Sequence, residues 1–113
     1  MPERYNIDIT PTARRHVTNF YDYILEDSGY SNTADDWLDQ LTENLLSLEV
    51  FPARHPLIAR EPFRSEGIHM FPIRNYIAYY TIHNSKHIVR IIAITHSRQD
   101  QWRILHETET EEL

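Results

Sequence analysis

The sequence predicts an α+β domain in which a helical hairpin packs on a mostly antiparallel four-stranded sheet, its elements running β-α-α-β-β-β. Three observations lead there. A short stretch near the start alternates apolar and polar residues with period two. Two longer stretches then carry apolar residues every three or four positions. The second half holds three runs rich in aromatic and β-branched residues, joined by links short enough for hairpins.

Tyr5-Asn6-Ile7-Asp8-Ile9-Thr10 is the period-two stretch, a short strand. Thr10-Pro11 follows as a helix start, a hydroxyl cap with proline at the first helical position. Ala13, Val17, Phe20 and Ile24 make one apolar stripe on a helix that ends near Asp27, and Gly29 is its natural stop. A second helix is predicted from about Thr33 to Val50, with Trp37, Leu41, Leu45 and Leu48 as its buried stripe. Asp35, Asp36, Asp39 and Glu43 sit in its first half, at the positive end of the helix dipole. A short turn between two amphipathic helices favours an antiparallel hairpin.

Pro52, Pro56 and Pro62 hold residues 51–63 in a connector. Strands are then predicted over Ile68–Ile73, Tyr76–Ile82 and His87–Thr95. Pro72 suggests a bulge or an edge position, whereas the run Ile88 to Ile94 is apolar on both faces, as a central strand should be. Residues 1–106 read as one domain, and the acidic residues 107–113 as a disordered tail.

A chain of 113 residues has room for one core, and its 12% aromatic content argues against disorder. The absence of cysteine excludes disulfides and thiolate chemistry. Only Gly29 and Gly67 are glycines, which excludes a Gly-rich phosphate loop. No window has transmembrane length and the first residues lack a signal-peptide core, so a cytoplasmic protein is expected. The net charge of −6 is unevenly divided. Residues 1–49 hold ten acidic and three basic side chains, and residues 50–106 three acidic and eight basic, with six of the seven histidines. The second half is therefore expected to present a cationic surface, mostly arginine, to an anionic partner.

Several pieces carry a family resemblance. They are Ala34-x-x-Trp37-x-x-x-Leu41, Leu48-x-x-Phe51-Pro52, Gly67-Ile68-His69, Asn75-Tyr76-Ile77-Ala78-Tyr79-Tyr80 and His96-Ser97-Arg98-Gln99-Asp100. In this order and spacing, over about residues 5–105, the chain resembles the RelE/ParE toxin superfamily of plasmid-stabilisation toxins. The resemblance implies the toxin half of a type II toxin–antitoxin pair, silenced by a cognate antitoxin. It implies one of two targets: messenger RNA cut on the ribosome, as by RelE-like members, or DNA gyrase, as poisoned by ParE-like members. An inactivated relative that keeps only antitoxin binding is a third possibility. Independently of the resemblance, a disordered segment that folds on its partner adds a strand at a sheet edge or lays a helix in a groove.

Metal-free RNA cleavage needs a base, a cation for the strained phosphate and an acid for the leaving oxygen. Arg74, Arg90 and Arg98 are candidate cations, and His69, His83, His87, His96, Tyr79 and Tyr80 candidate proton carriers. For a nuclease the catalytic set would be His96, Arg98, Arg74 and Tyr80; for target binding it would be Arg74, Arg90, Arg98 and His69. Strand alternation allows Tyr79 or Tyr80, not both, on an open face. By the resemblance, nuclease members carry arginines where this chain has His69 and Gln99, so the His96-x-Arg98-x-Asp100 ending favours the ParE-like branch. His96 is open to a structural reading too, bonded to Asp100 with Arg98 paired to the acidic helix. His83 and His87 flank a turn without a carboxylate beside them, and neither metal nor cofactor is expected.

Overall fold

A computed structural model describes residues 3–112, with side chains described through Thr108. Strand β1 (Asn6–Ile9) leads into helix α1 (Pro11–Ser28) and helix α2 (Ser31–Leu46). Strands β2 (His69–Ile73), β3 (Tyr76–His83) and β4 (Ile88–His96) follow, and helix α3 (Gln101–Glu112) closes the described chain. The four-stranded sheet has the order β1-β4-β3-β2, with β1 parallel to β4 and the other pairs antiparallel. This is the α+β architecture read from the sequence, with β4 central and the Pro72 strand at an edge.

The helix ends form as their residues dictate. Thr10 caps α1 by accepting the Ala13 N–H at 3.2 Å. Gly29, at φ +74°, stops it by donating its N–H to the Leu25 carbonyl at 2.9 Å. The second helix is shorter than predicted: it ends at Leu46, and Ser47–Glu49 tighten into a 3₁₀ turn. The Arg54 guanidinium collects the freed carbonyls of Ser47, Val50 and Phe51 at 2.8–3.3 Å, so the break has its own cap.

The hairpin buries its stripes on one sheet face, where Ala13, Leu41, Leu45 and Leu48 meet Phe71, Ala78, Tyr80, Val89 and Ile91. The opposite face is covered as well, by the connector and α3. Ile58, Phe63, Ile68 and Leu105 pack there on Tyr79, Ile92 and Ala93. Helix α3 continues past His106 to Glu112, with Leu105 and Thr108 buried. Asp100 starts that helix by accepting the Arg103 N–H at 3.3 Å. Among the described residues no helix is long and apolar enough to cross a membrane.

Where β1 stops, β4 keeps an unpaired edge that α1 satisfies. Thr10 Oγ1 donates to the Ile92 carbonyl at 3.4 Å, and His16 Nδ1 accepts the Ile94 N–H at 3.2 Å. An accepting Nδ1 requires an unprotonated nitrogen. Burial, and then Arg15, hold the His16 pKa below its ordinary value of 6.5, against the opposing pull of Glu107. A depressed histidine pKa contributes stability that is complete above the unfolded value and lost as pH falls through the folded one. His55 and His83 are displaced in the same direction. Thermal unfolding is therefore expected at a lower temperature at about pH 5 than at about pH 7.5, with a smaller drop in His16→Gln. Equal drops in the two proteins would reject the role given to His16.

Candidate functional site

One end of the sheet gathers aromatic rings and two arginines. Tyr76 opens β3 opposite His96, the last residue of β4, and their rings meet edge to face at 5.0 Å. From the hairpin, Phe20 and Trp37 stand 5.0 and 5.2 Å from Tyr76 and 6.3 Å from one another. The apolar stripes of α1 and α2 thus run past the sheet's end, where rings remain half-exposed. Tyr23, one helical turn after Phe20, is 65% exposed.

Two loops join at this end. The N–H of Ser97 donates to the Asn75 carbonyl at 2.8 Å, which ties the β2–β3 turn to the segment after β4. Arg74 and Arg98 project from these joined loops and are both exposed. Neither forms an ion pair among the described residues. His96 shapes the second loop: its N–H donates to Gln99 Oε1 at 2.8 Å, and its Nδ1 accepts the Arg98 N–H at 3.1 Å. Tyr76 separates two hollows. One, of about 440 Å³, is lined by Phe20, Tyr23, His96 and Arg98. The other, of about 180 Å³, is lined by Trp37, Gln40, Ile73 and Arg74.

The other candidates lie elsewhere. Arg90 is six residues before His96 on β4, roughly 20 Å away along an extended strand, and pairs with Asp8 at 3.0 Å. His69 opens β2; its Nδ1 donates to the His55 carbonyl at 2.7 Å and its ring stacks on Tyr80 at 5.0 Å. The expected single cationic surface does not form. Arg54 caps the end of α2, Arg60 lies over Trp102, Arg90 pairs with Asp8 and Arg103 pairs with Glu107. The structural reading of the His96 ending changes partners: His96 holds its loop through Gln99 and the Arg98 N–H, while Asp100 caps α3.

Neither tyrosine is on an open face. Tyr79 lies under α3 and donates to Gln101 Oε1 at 2.5 Å, while Tyr80 lies under the hairpin and donates to the Pro52 carbonyl at 2.5 Å. Burial pushes the Tyr80 pKa up to about 12, against the pull of Arg54 and a backbone hydrogen bond at His55. Among the described residues no cluster of three or more histidines and carboxylates is placed to hold a metal. Sequence reasoning missed Phe20, Trp37 and Tyr76 as site residues, because half-exposed rings at the end of a stripe carry the same period as buried ones.

Comparisons with known proteins add family and fold. The model of the ParE toxin family, described as the ParE toxin of the parDE type II toxin–antitoxin system, matches residues 7–101. No curated protein gives a significant match. Among solved structures, the toxin–antitoxin complex RelBE2 from Mycobacterium tuberculosis is similar at TM-score 0.60 and 21% identity, over 83% of this chain and 92% of that one. The chromosomal ParDE system of P. aeruginosa is similar at TM-score 0.67 and 14% identity, over 82% and 96%. A free E. coli toxin RelE with two arginine-to-alanine replacements is similar at TM-score 0.60 and 15% identity, over 97% and 99%.

Proposed function

This chain belongs to the ParE toxin family of type II toxin–antitoxin systems, and from that premise we propose that it acts by binding and inhibiting DNA gyrase until a cognate antitoxin neutralises it. The end of the sheet around Tyr76 is the surface assigned to the target. One observation carries the choice of gyrase over messenger RNA: the set that RNA cleavage needs is incomplete. His96, Arg74 and Arg98 share one end, but the Tyr80 hydroxyl that would complete the set is buried on the Pro52 carbonyl. A metal-free nuclease needs base, cation and acid within reach of one phosphate. A binding surface needs instead exposed aromatic and arginine side chains around a cleft, which the rings at Tyr76 and the two arginines supply.

Purified gyrase should lose supercoiling activity as this protein is added, and translated messages should show no codon-positioned cuts. Full supercoiling at saturating protein would reject the proposal, and codon-positioned cuts would return the chain to the nuclease reading. A second expectation separates the two chemistries within the molecule. Tyr80→Phe leaves the buried Pro52 carbonyl without its donor, which should cost about 1–3 kcal/mol of stability. Its inhibition, assayed where the variant stays folded, should match the wild type. A large loss of activity in folded Tyr80→Phe would speak for a chemical role of that hydroxyl.

A further inference from the structure

Helix α2 ends at Leu46, so the hairpin does not cover its whole sheet face. Past that end a hollow of about 760 Å³ opens, walled by Tyr5, Pro52, His69 and Ile82. It exceeds in volume both hollows at Tyr76. Ile82 is six residues after Tyr76 on β3, so the hollow lies roughly 20 Å from the rim, at the other end of the sheet. Its walls are fixed by the fold. The Tyr5 hydroxyl donates to Asn84 Oδ1 at 2.9 Å, and His69 is held by the His55 carbonyl and the Tyr80 ring.

Phe51 stands at the mouth of this hollow and is 67% exposed. Its backbone is left-handed, at φ +51° and ψ +56°, a conformation that a bulky L-residue rarely adopts. The connector holds it there, since the N–H and the guanidinium of Arg54 donate to the Phe51 carbonyl at 3.2 and 3.3 Å. The ring itself adds little to the core of its own fold. A strained backbone that presents a large ring to water points to a use outside that fold. Two charges share the mouth. Glu3, largely exposed and 3.3 Å from His87, lines it together with Arg54, which forms no ion pair among the described residues.

We propose that a second copy of this chain occupies the hollow, in a twofold dimer that inserts Phe51 of each copy into the hollow of the other. A knob beside its own hole is self-complementary about a twofold axis, so the pairing closes at two copies and does not run on into a filament. The same axis sets the Glu3 and Arg54 of one mouth against those of the other in opposite order, so unlike charges meet. An aromatic ring that fills a preformed, mostly apolar cleft is the kind of anchor that carries such interfaces. The rims at Tyr76 stand at the far ends of the two sheets and stay uncovered. The dimer is a property of the toxin alone and does not rest on the gyrase reading.

Sedimentation equilibrium of the full chain reads this directly. The mass should rise from one copy to two across about 1–100 µM, as suits a small, transient interface. Phe51→Gly removes the ring and accepts the left-handed backbone, so the dissociation constant should rise about tenfold or more. Phe51→Asn, polar and tolerated at positive φ, should do the same, which keeps the test open if one variant fails to fold. A single-copy mass throughout that range, or a dimer that the folded variants form as tightly as the wild type, would overturn the proposal. So would a wild type that stays single while the amides of Phe51 and Ala53 slow in hydrogen exchange only beside the product of the reading frame adjoining its gene; the hollow would then belong to a different protein.

Discussion

Arg74→Gly is expected to yield a protein that is more stable and yet a weaker gyrase inhibitor. Arg74 opens the two-residue link between β2 and β3 with φ +58°, in the left-handed region. An L-residue there costs roughly 1–2 kcal/mol, because its Cβ crowds the neighbouring carbonyl. Glycine avoids that cost, although its greater loss of backbone freedom on folding returns about 0.5–1 kcal/mol. The net gain should be up to about 1 kcal/mol, visible as a higher urea midpoint. Nothing in the fold compensates for arginine at this place, since its guanidinium is exposed and forms no ion pair among the described residues. A strained residue whose side chain does nothing for its own fold points to a role outside it.

The same substitution removes one of the two cations beside Tyr76. Arginine at the centre of an interface is commonly worth more than about 1.4 kcal/mol, so inhibition should weaken about tenfold. Arg98→Ala should weaken it comparably without the gain in stability, because Arg98 is absent from the positive-φ positions. Urea unfolding and a dose–response of supercoiling on the three proteins decide the matter. If Arg74→Gly inhibits gyrase as well as the wild type, the rim at Tyr76 is not the target surface.

Much of this was legible in the residues. Thr10-Pro11 and Gly29 bracket the first helix because capping is a local property, settled by the few residues around it. The apolar run in β4 read correctly as a central strand. Two things were hidden. Asp100 was read with His96 and Arg98 as a chemical ending, although Asp100 followed by Trp102 and Leu105 is equally a capped helix start; choosing between them needs the second sheet face, a long-range matter. The charge count also misled. It placed eight cations in residues 50–106, but whether a guanidinium is free depends on partners such as Asp8, Trp102 and the carbonyls after α2, brought together only by the fold. Tyr79 and Tyr80 show the same limit. Alternation gives them opposite faces, and it cannot tell that α3 covers one of those faces as fully as the hairpin covers the other.

The weight carried by α3 leads to the largest stability effect expected. Leu105 is 1% exposed and packs with Phe63, Tyr79 and Ile92 in the second core. Trp102, one turn earlier, stacks near Phe63 at 5.9 Å under the Arg60 guanidinium. That core is small and is closed only by this helix and the connector, so little lies nearby that could collapse into a void. Leu105→Ala should therefore cost about 2–5 kcal/mol, as leucine deletions in rigid cores do. Domains of this size hold about 5–15 kcal/mol in total, so the variant should sit near the edge of folding. Arg103→Ala, an exposed change on the same helix, should stay within about 0.5 kcal/mol of the wild type. Urea unfolding of the three proteins separates a core helix from an ornamental one. A Leu105→Ala protein as stable as Arg103→Ala would mean that α3 does not close the second face, and Tyr79 would then return to an open surface where a hydroxyl can meet a substrate.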